Sequence, residues 1–189
     1  EFRAAPDPLA IYDAALRQRL VDERNSETCA SQMQSMAVAG AWWVPTLTTL
    51  RMPVTASQPV ATRDPRLTTV PWLRRQLMWE PDARRAAREP LRSDGRTVSA
   101  ALFDRASQES ALAHAAGVRL LAGTDTTDTL VFPGSGLHEE LQMIVEAGLS
   151  PLEALRSATL HAAEFAGVRE VHGSIAPGQV ADLVLLEAN

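Results

Sequence analysis

Asp125 closes the run Val118-Arg119-Leu120-Leu121-Ala122-Gly123-Thr124-Asp125, so a carboxylate stands at the C-terminal end of a short apolar stretch. A carboxylate in that position can take up and return a proton. It can equally be the turn or helix N-cap aspartate common after Gly-Thr. Downstream, Gly136-Leu137-His138-Glu139-Glu140-Leu141 sets an imidazole beside two carboxylates, the residue types of an acid and base pair. A surface or capping histidine is the plain alternative for His138. His114 falls on an amphipathic helix and His172 beside a turn, and both read as solvent-facing. Asp182, in Ala181-Asp182-Leu183-Val184, reads as a turn-ordering residue that accepts backbone N–H bonds. Cys29 is the single cysteine, which excludes an internal disulfide and a thiolate metal cluster.

The elements that must carry these groups follow from periodicity. Leu9, Tyr12, Leu16 and Leu20 recur at helical spacing between Pro8 and Arg24. A second helix covers Glu27 to Val38 and ends at Gly40, a residue suited to the left-handed conformation after a helix. Ala41-Trp42-Trp43-Val44-Pro45-Thr46-Leu47 is short, apolar and aromatic, a buried strand in which Pro45 marks the end or a bulge. The adjacent tryptophans then point to opposite faces. Residues 51–96 hold most of the prolines and arginines and read as an irregular insertion, helical in part over Pro71 to Arg88, of the solvated or site-covering kind. Thr97 to Ala116 is a helix with Leu102, Phe103, Ala106, Ser110 and Ala113 on one face, and Val118–Ala122 is the next strand. Leu137, Leu141, Ile144 and Val145 mark the following helix, which ends at Gly148. Ser150-Pro151-Leu152-Glu153 is a capping box opening a helix that runs to about Ala166. Two short strands, Ser174–Ala176 and Ala181–Leu186, flank a turn at Gly178. Helices alternating with strands predict an α/β fold with parallel strands.

Composition bounds the function. The 189 residues contain 46 % hydrophobic and 22 % charged residues, enough apolar material for a globular core. A net charge of −5 gives no sign of the basic footprint of a nucleic-acid binder. No apolar run reaches the roughly 18 residues of a membrane span. Glu1-Phe2-Arg3 has the marks of neither an initiator nor a signal peptide, so the chain reads as one entered in the middle. A lone cysteine permits a reducing compartment and favours the cytoplasm.

Four local patterns, taken in order, carry a resemblance. They are Val44-Pro45-Thr46-Leu47; Leu121-Ala122-Gly123-Thr124-Asp125; Gly136-Leu137-His138-Glu139-Glu140-Leu141; and Leu149-Ser150-Pro151-Leu152-Glu153-Ala154-Leu155-Arg156-Ser157-Ala158-Thr159, with Gly173-Ser174-Ile175-Ala176-Pro177-Gly178-Gln179-Val180-Ala181-Asp182-Leu183-Val184 behind it. This order resembles the C-terminal region of the amidohydrolase superfamily, above all its imidazolonepropionase-like and Xaa-Pro dipeptidase-like members, over roughly Asn25 to Glu187.

The resemblance implies an α/β fold in which residues 1–170 are the C-terminal part of a (β/α)₈ TIM barrel. Its last two strands would be Trp42–Leu47 and Val118–Ala122, and residues 171–189 would be strands of a small β-sandwich. It implies a metal-dependent hydrolase of carbon–nitrogen bonds, acting on small cyclic or dipeptide-like amides with one or two divalent ions, zinc first among them. Asp125 would be both metal ligand and catalytic proton carrier, since metal-bound water has its pKa lowered to about 7 and needs an acceptor. His138 and Thr46, with Thr48 near it, would line the substrate site at the barrel mouth. His161 stands where relatives carry Asn, which points to packing or hydrogen bonding. The family's His-X-His pair, bridging Lys or Glu and two further strand-end histidines have no counterpart here, and a barrel of about 250 residues exceeds the chain. The expectation is a fragment that is catalytically silent alone. The alternative is a non-catalytic remnant or protein-binding module. Open strand edges would favour association with further copies.

Overall fold

The computed structural model describes residues 13–58, 61, 63–185 and 187. Leu9 and Tyr12 of the expected first helix and Leu186 of the expected last strand lie outside the described residues. Helices α1 (Ala14–Asp22) and α2 (Ser26–Val38) open the fold, α2 capped by Asn25, whose side chain accepts the Thr28 N–H at 2.9 Å. Strand β1 (Trp42–Trp43) is followed by α3 (Leu47–Ala56), a 3₁₀ turn (Pro65–Thr69), α4 (Trp72–Arg74), a π-helical turn (Arg75–Trp79) and α5 (Glu80–Ala86). Helix α6 (Val98–Ala115) leads to β2 (Arg119–Leu120), then α7 (Ser135–Glu146), α8 (Pro151–Ala158) and α9 (Leu160–Phe165).

The two strands leave their helices by the same device. After α2, Gly40 has φ +65, its N–H binds the Ala37 carbonyl, and the Ala41 N–H reaches Met36. After α6, Gly117 has φ +94, its N–H binds the His114 carbonyl, and the Val118 N–H reaches Ala113. Each is a Schellman closure, which satisfies the last helical carbonyls and aims the chain outward as a strand. The strands then pair in parallel, Trp42 opposite Arg119 and Trp43 opposite Leu120, with the Leu121 N–H donating to the Trp43 carbonyl at 2.9 Å. The expected parallel α/β arrangement is therefore present, with helices predominating.

Leu47, Leu120, Met143, Ile144, Leu149 and Ala154 form the main core, with Trp43, Phe103 and Ala106 packed against them. A second cluster of Met33, Ala113 and Val118 lies beneath α2 and α6, with half-buried Cys29 against it. Val70, Trp79 and Phe132 form a third that ties the 61–96 segment down.

Five expectations need correction. The strand expected over Trp42–Leu47 stops at Trp43, because Pro45 has no N–H for a ladder and Thr46 turns left-handed (φ 47, ψ 49) into α3. The 51–96 segment, expected to be irregular outside Pro71 to Arg88, is largely helical among its described residues, and the expected helical part is present over residues 72–86. Helix α3 runs through Pro53 because its buried Leu47, Thr48 and Ala56 hold it from the side. The single helix expected from Ser150 to Ala166 breaks at Thr159 (φ −125, ψ −83) into α8 and α9. The expected strands at 174–176 and 181–186 do not form among the described residues. A strand needs a ladder partner, and here Ile175, Val184 and Leu185 lie exposed. Leu137, expected in the core stripe of α7, is exposed, and Met143 takes its place.

Candidate active site

The C-terminal ends of β1 and β2 lie side by side, and each turns through a left-handed non-glycine residue, Thr46 at φ 47 and Asp125 at φ 51. Such backbone is uncommon outside glycine and collects at functional sites. Gly123 lies close against Val44 of the neighbouring turn. A Cβ there would stand 2.5 Å from Cγ1 of Val44, so the β-branched side chain would have to shift.

Asp125 is exposed, and its carboxylate forms neither hydrogen bond nor ion pair among the described residues. Its backbone carbonyl accepts the Asp128 N–H at 3.0 Å. The next helix, α7, begins only at Ser135 behind Gly134, so Asp125 caps no helix. Its side chain is uncommitted. Asp128, three positions on, is pushed up from the usual carboxylate range by burial first, against the Thr129 N–H. The like charges of Asp82 and Asp125 add to the rise. The turn thus carries a negative field with Asp125 at its exposed end.

Glu140, on the buried face of α7, is the functional side chain that sequence reasoning misplaced. It is fully buried. Its Oε1 accepts the Leu47 N–H at 3.0 Å, and its Oε2 accepts the Thr48 N–H at 2.8 Å and lies 3.1 Å from the Thr48 hydroxyl. Thr46 offers α3 no side-chain cap, so Glu140 supplies the missing acceptor from another helix. Burial pushes the Glu140 carboxyl up, opposed by these bonds and by the Arg51 charge. The signal was a lone carboxylate inside an apolar stripe, at Gly136, Glu140, Met143 and Ile144.

The structure separates the residues expected to act with it. His138 is exposed and makes no hydrogen bond among the described residues, so it does not pair with buried Glu140 as acid and base. Glu139 is held by Arg51 at 3.2 Å and by Arg66, whose guanidinium also binds Asp64 at 2.7 Å and lies 4.2 Å over the Phe132 ring. Thr46 is half-buried at the β1 exit. The 72–86 helices reach the Asp125 turn through Arg74, which donates to the Thr127 carbonyl at 2.9 Å, and Asp82, which accepts the Thr129 hydroxyl at 2.6 Å.

His161 Nδ1 lies 3.1 Å from the Leu120 carbonyl, and its ring meets Trp42 edge-on, the packing and hydrogen-bonding role expected of it. His114 is half-buried rather than solvent-facing. Asp182 orders no turn through backbone bonds among the described residues; its one neighbour is His172, 3.7 Å away. No three His, Cys, Asp or Glu side chains among the described residues gather into a metal-holding group.

Residues 96–189, from the turn before α6 through Asp125 and α7, match the amidohydrolase family. This segment belongs to that family. Within the chain, 69 residues are 35 % identical to an adenine deaminase of Ligilactobacillus salivarius, covering 36 % of this chain and 12 % of that protein. Another 81-residue match is 36 % identical to an imidazolonepropionase of Acinetobacter baumannii, covering 40 % of this chain and 18 % of that one. Among solved structures, a bottromycin amidohydrolase superposes with a TM-score of 0.58 at 24 % identity, over 78 % of this chain and 34 % of that one. A Xaa-Pro dipeptidase with bound methionine gives 0.54 at 21 %, over 93 % and 37 %. The two structures show that the amidohydrolase segment and the helices before it share one fold with these proteins. The chain spans 12 % and 18 % of the two curated relatives and about a third of the solved chains, 34 % and 37 %.

Proposed function

We propose that this chain carries the ends of the last two strands of an amidohydrolase barrel, within residues 1–170, and that the whole barrel hydrolyses a carbon–nitrogen bond in a small cyclic or dipeptide-like amide. The observation that carries the reading is the Asp125 carboxylate. It is exposed, without a partner among the described residues, and set by a left-handed backbone five residues past the C-terminal end of β2. That end of a parallel strand is where barrels place their reactive groups. Asp125 accepts the proton of the attacking water and returns it to the leaving nitrogen. His138, exposed on the first turns of α7, and Thr46, at the neighbouring strand exit, are the candidate substrate contacts.

Metal dependence belongs to the same proposal, with zinc as the ion. A catalytic zinc usually keeps three protein ligands. The described residues offer Asp125 and no cluster around it, so they do not hold the ion by themselves. The expectation is that the purified 189-residue chain shows no zinc-dependent amidase activity, and turnover by that chain would overturn this part.

The decisive experiment joins the chain to the reading frame upstream of Glu1 and compares it with its Asp125→Asn variant. If Asp125 moves the proton, kcat falls by about 100- to 10,000-fold. An unchanged kcat removes Asp125 from the chemistry.

A second reading, a protein-binding module, is favoured by the exposed apolar side chains of Ile175, Val184 and Leu185. Size-exclusion chromatography of the chain decides on self-association: a concentration-dependent shift supports a homo-oligomer, and a constant monomer elution removes it. No helix among the described residues is long and apolar enough to cross a membrane.

A further inference from the structure

We infer that Thr48, locked in place by Glu140, is the positioning residue for Asp125. Glu140 fixes the first turn of α3 by taking both the Leu47 and Thr48 N–H groups. That places the Thr48 hydroxyl 3.0 Å from the Thr124 carbonyl, the peptide group that enters Asp125. The Thr49 hydroxyl reaches the same oxygen at 3.3 Å. The Thr124 side chain bonds within its own turn, 2.7 Å from the Thr126 hydroxyl, with the Thr126 N–H donating to it at 3.2 Å. The carbonyl of the peptide before Asp125 is thereby held by two hydroxyls of α3. A carbonyl so held restrains the rotation of its peptide plane, whose orientation bears on the φ of the residue that follows.

Three elements meet in this grip: β2 delivers the peptide, α3 supplies the hydroxyl, and α7 sets α3. Thr48 and Glu140 are both buried, which shields the Glu140 end of the grip from water. The hydroxyl has one hydrogen and two acceptors in reach, Glu140 Oε2 and the Thr124 carbonyl. Because the Thr48 N–H already serves Oε2, the hydroxyl is free to serve the carbonyl. Neither side chain touches the reacting atoms; both act through the backbone of Asp125.

The importance of Asp125 rests on the function proposed above, while the hold on its backbone is measured without catalysis. The test is amide hydrogen exchange by NMR on the 189-residue chain. Thr48→Val keeps the shape and the N–H but removes the hydroxyl. It is expected to speed exchange at the Thr126 and Asp128 amides by about three- to tenfold, the loss of one net hydrogen bond. The Ala147 amide, on the Met143 carbonyl at the end of α7, stays unchanged. Thr48→Ser restores the native rates, and Thr49→Val has the smaller effect of the longer bond. Unchanged exchange at Thr126 and Asp128, or a uniform rise that includes Ala147, overturns the inference. Should Thr48→Val fail to fold, the unsubstituted chain decides. A slowly exchanging Thr48 hydroxyl proton with a nuclear Overhauser contact to Asp125 supports the grip, and its absence overturns it. A failed Asp125→Asn kinetic test would remove the function and leave this result standing.

Discussion

The strand-end clamp and the C-terminal residues 171–187 are opposites. In the clamp, Leu47 and Thr48 are buried, Glu140 has a donor on each oxygen, and every contact comes from a distant part of the chain. In residues 171–187 the bonds are local, such as Val180 N–H to Val171 and Gln179 N–H to Ala176, and Leu185 is 97 % exposed. Yet Gly173-Ser174-Ile175-Ala176-Pro177-Gly178 is among the most recognisable wording in the chain, and Leu47, Thr48 and Glu140 are plain. Recognisable sequence and self-sufficient structure are separate properties. A capped helix closes its hydrogen bonds within itself and one neighbour, whereas a strand leaves half of its groups to a partner.

The sharpest way to break the contrast is to open the core under the clamp. Ile144→Ala removes a fully buried side chain and should lower stability by about 2–5 kcal/mol in urea unfolding. Glu140→Ala leaves two buried N–H groups at the start of α3 without an acceptor, with an expected loss of about 1–3 kcal/mol. Gly123→Ala forces a Cβ against Val44 and should cost about 1–3 kcal/mol, seen as a lower Tm, with Val44→Ala in the same chain relieving part of it. At the far end of the scale, Leu185→Ser should stay within about 0.5 kcal/mol of the parent. A large loss there would show that the C-terminal residues are packed after all.

Two carboxylates sharpen the same contrast through pH. Burial raises the Glu140 pKa, so the folded state holds that proton more tightly than the unfolded chain. Its contribution is greatest at pH values below the ordinary carboxylate range and is lost as pH rises through the raised folded value. Asp64 runs the other way. The hydrogen bond from the Arg66 side chain, more than any other cause, lowers its pKa. Its contribution is therefore present above the unfolded value and lost as pH falls through the depressed one. Urea midpoints of the parent, Glu140→Ala and Asp64→Asn chains should show the first difference growing as pH falls from about 7 to about 4, and the second shrinking only on further acidification below about pH 4. Differences of the same sign would contradict one of these assignments.

Much of this was legible because it is local. Asn25, Thr97 and Ser150 cap their helices as their types require, and Gly40 and Gly117 end theirs. The paired strands and the position of Asp125 followed from apolar runs between those signals. What escaped depends on groups far apart in sequence. Thr159 is an ordinary residue, and the break there accompanies the seating of His161 on Trp42 and the Leu120 carbonyl. The start of α3 could not be read from Thr46, because its acceptor is Glu140. Glu140 itself, adjacent to His138, invited an acid and base reading until its burial separated the two.

The cap on α3 also has a consequence in time. The bonds from Leu47 and Thr48 to Glu140 span 93 and 92 positions, so during vectorial synthesis the helix is made long before its acceptor exists. Contacts of such separation form after local ones. The grip on the Asp125 turn is thus among the last features to be completed as the chain folds. Substitutions at Thr48 or Glu140 should accordingly quicken unfolding while leaving the refolding rate nearly untouched.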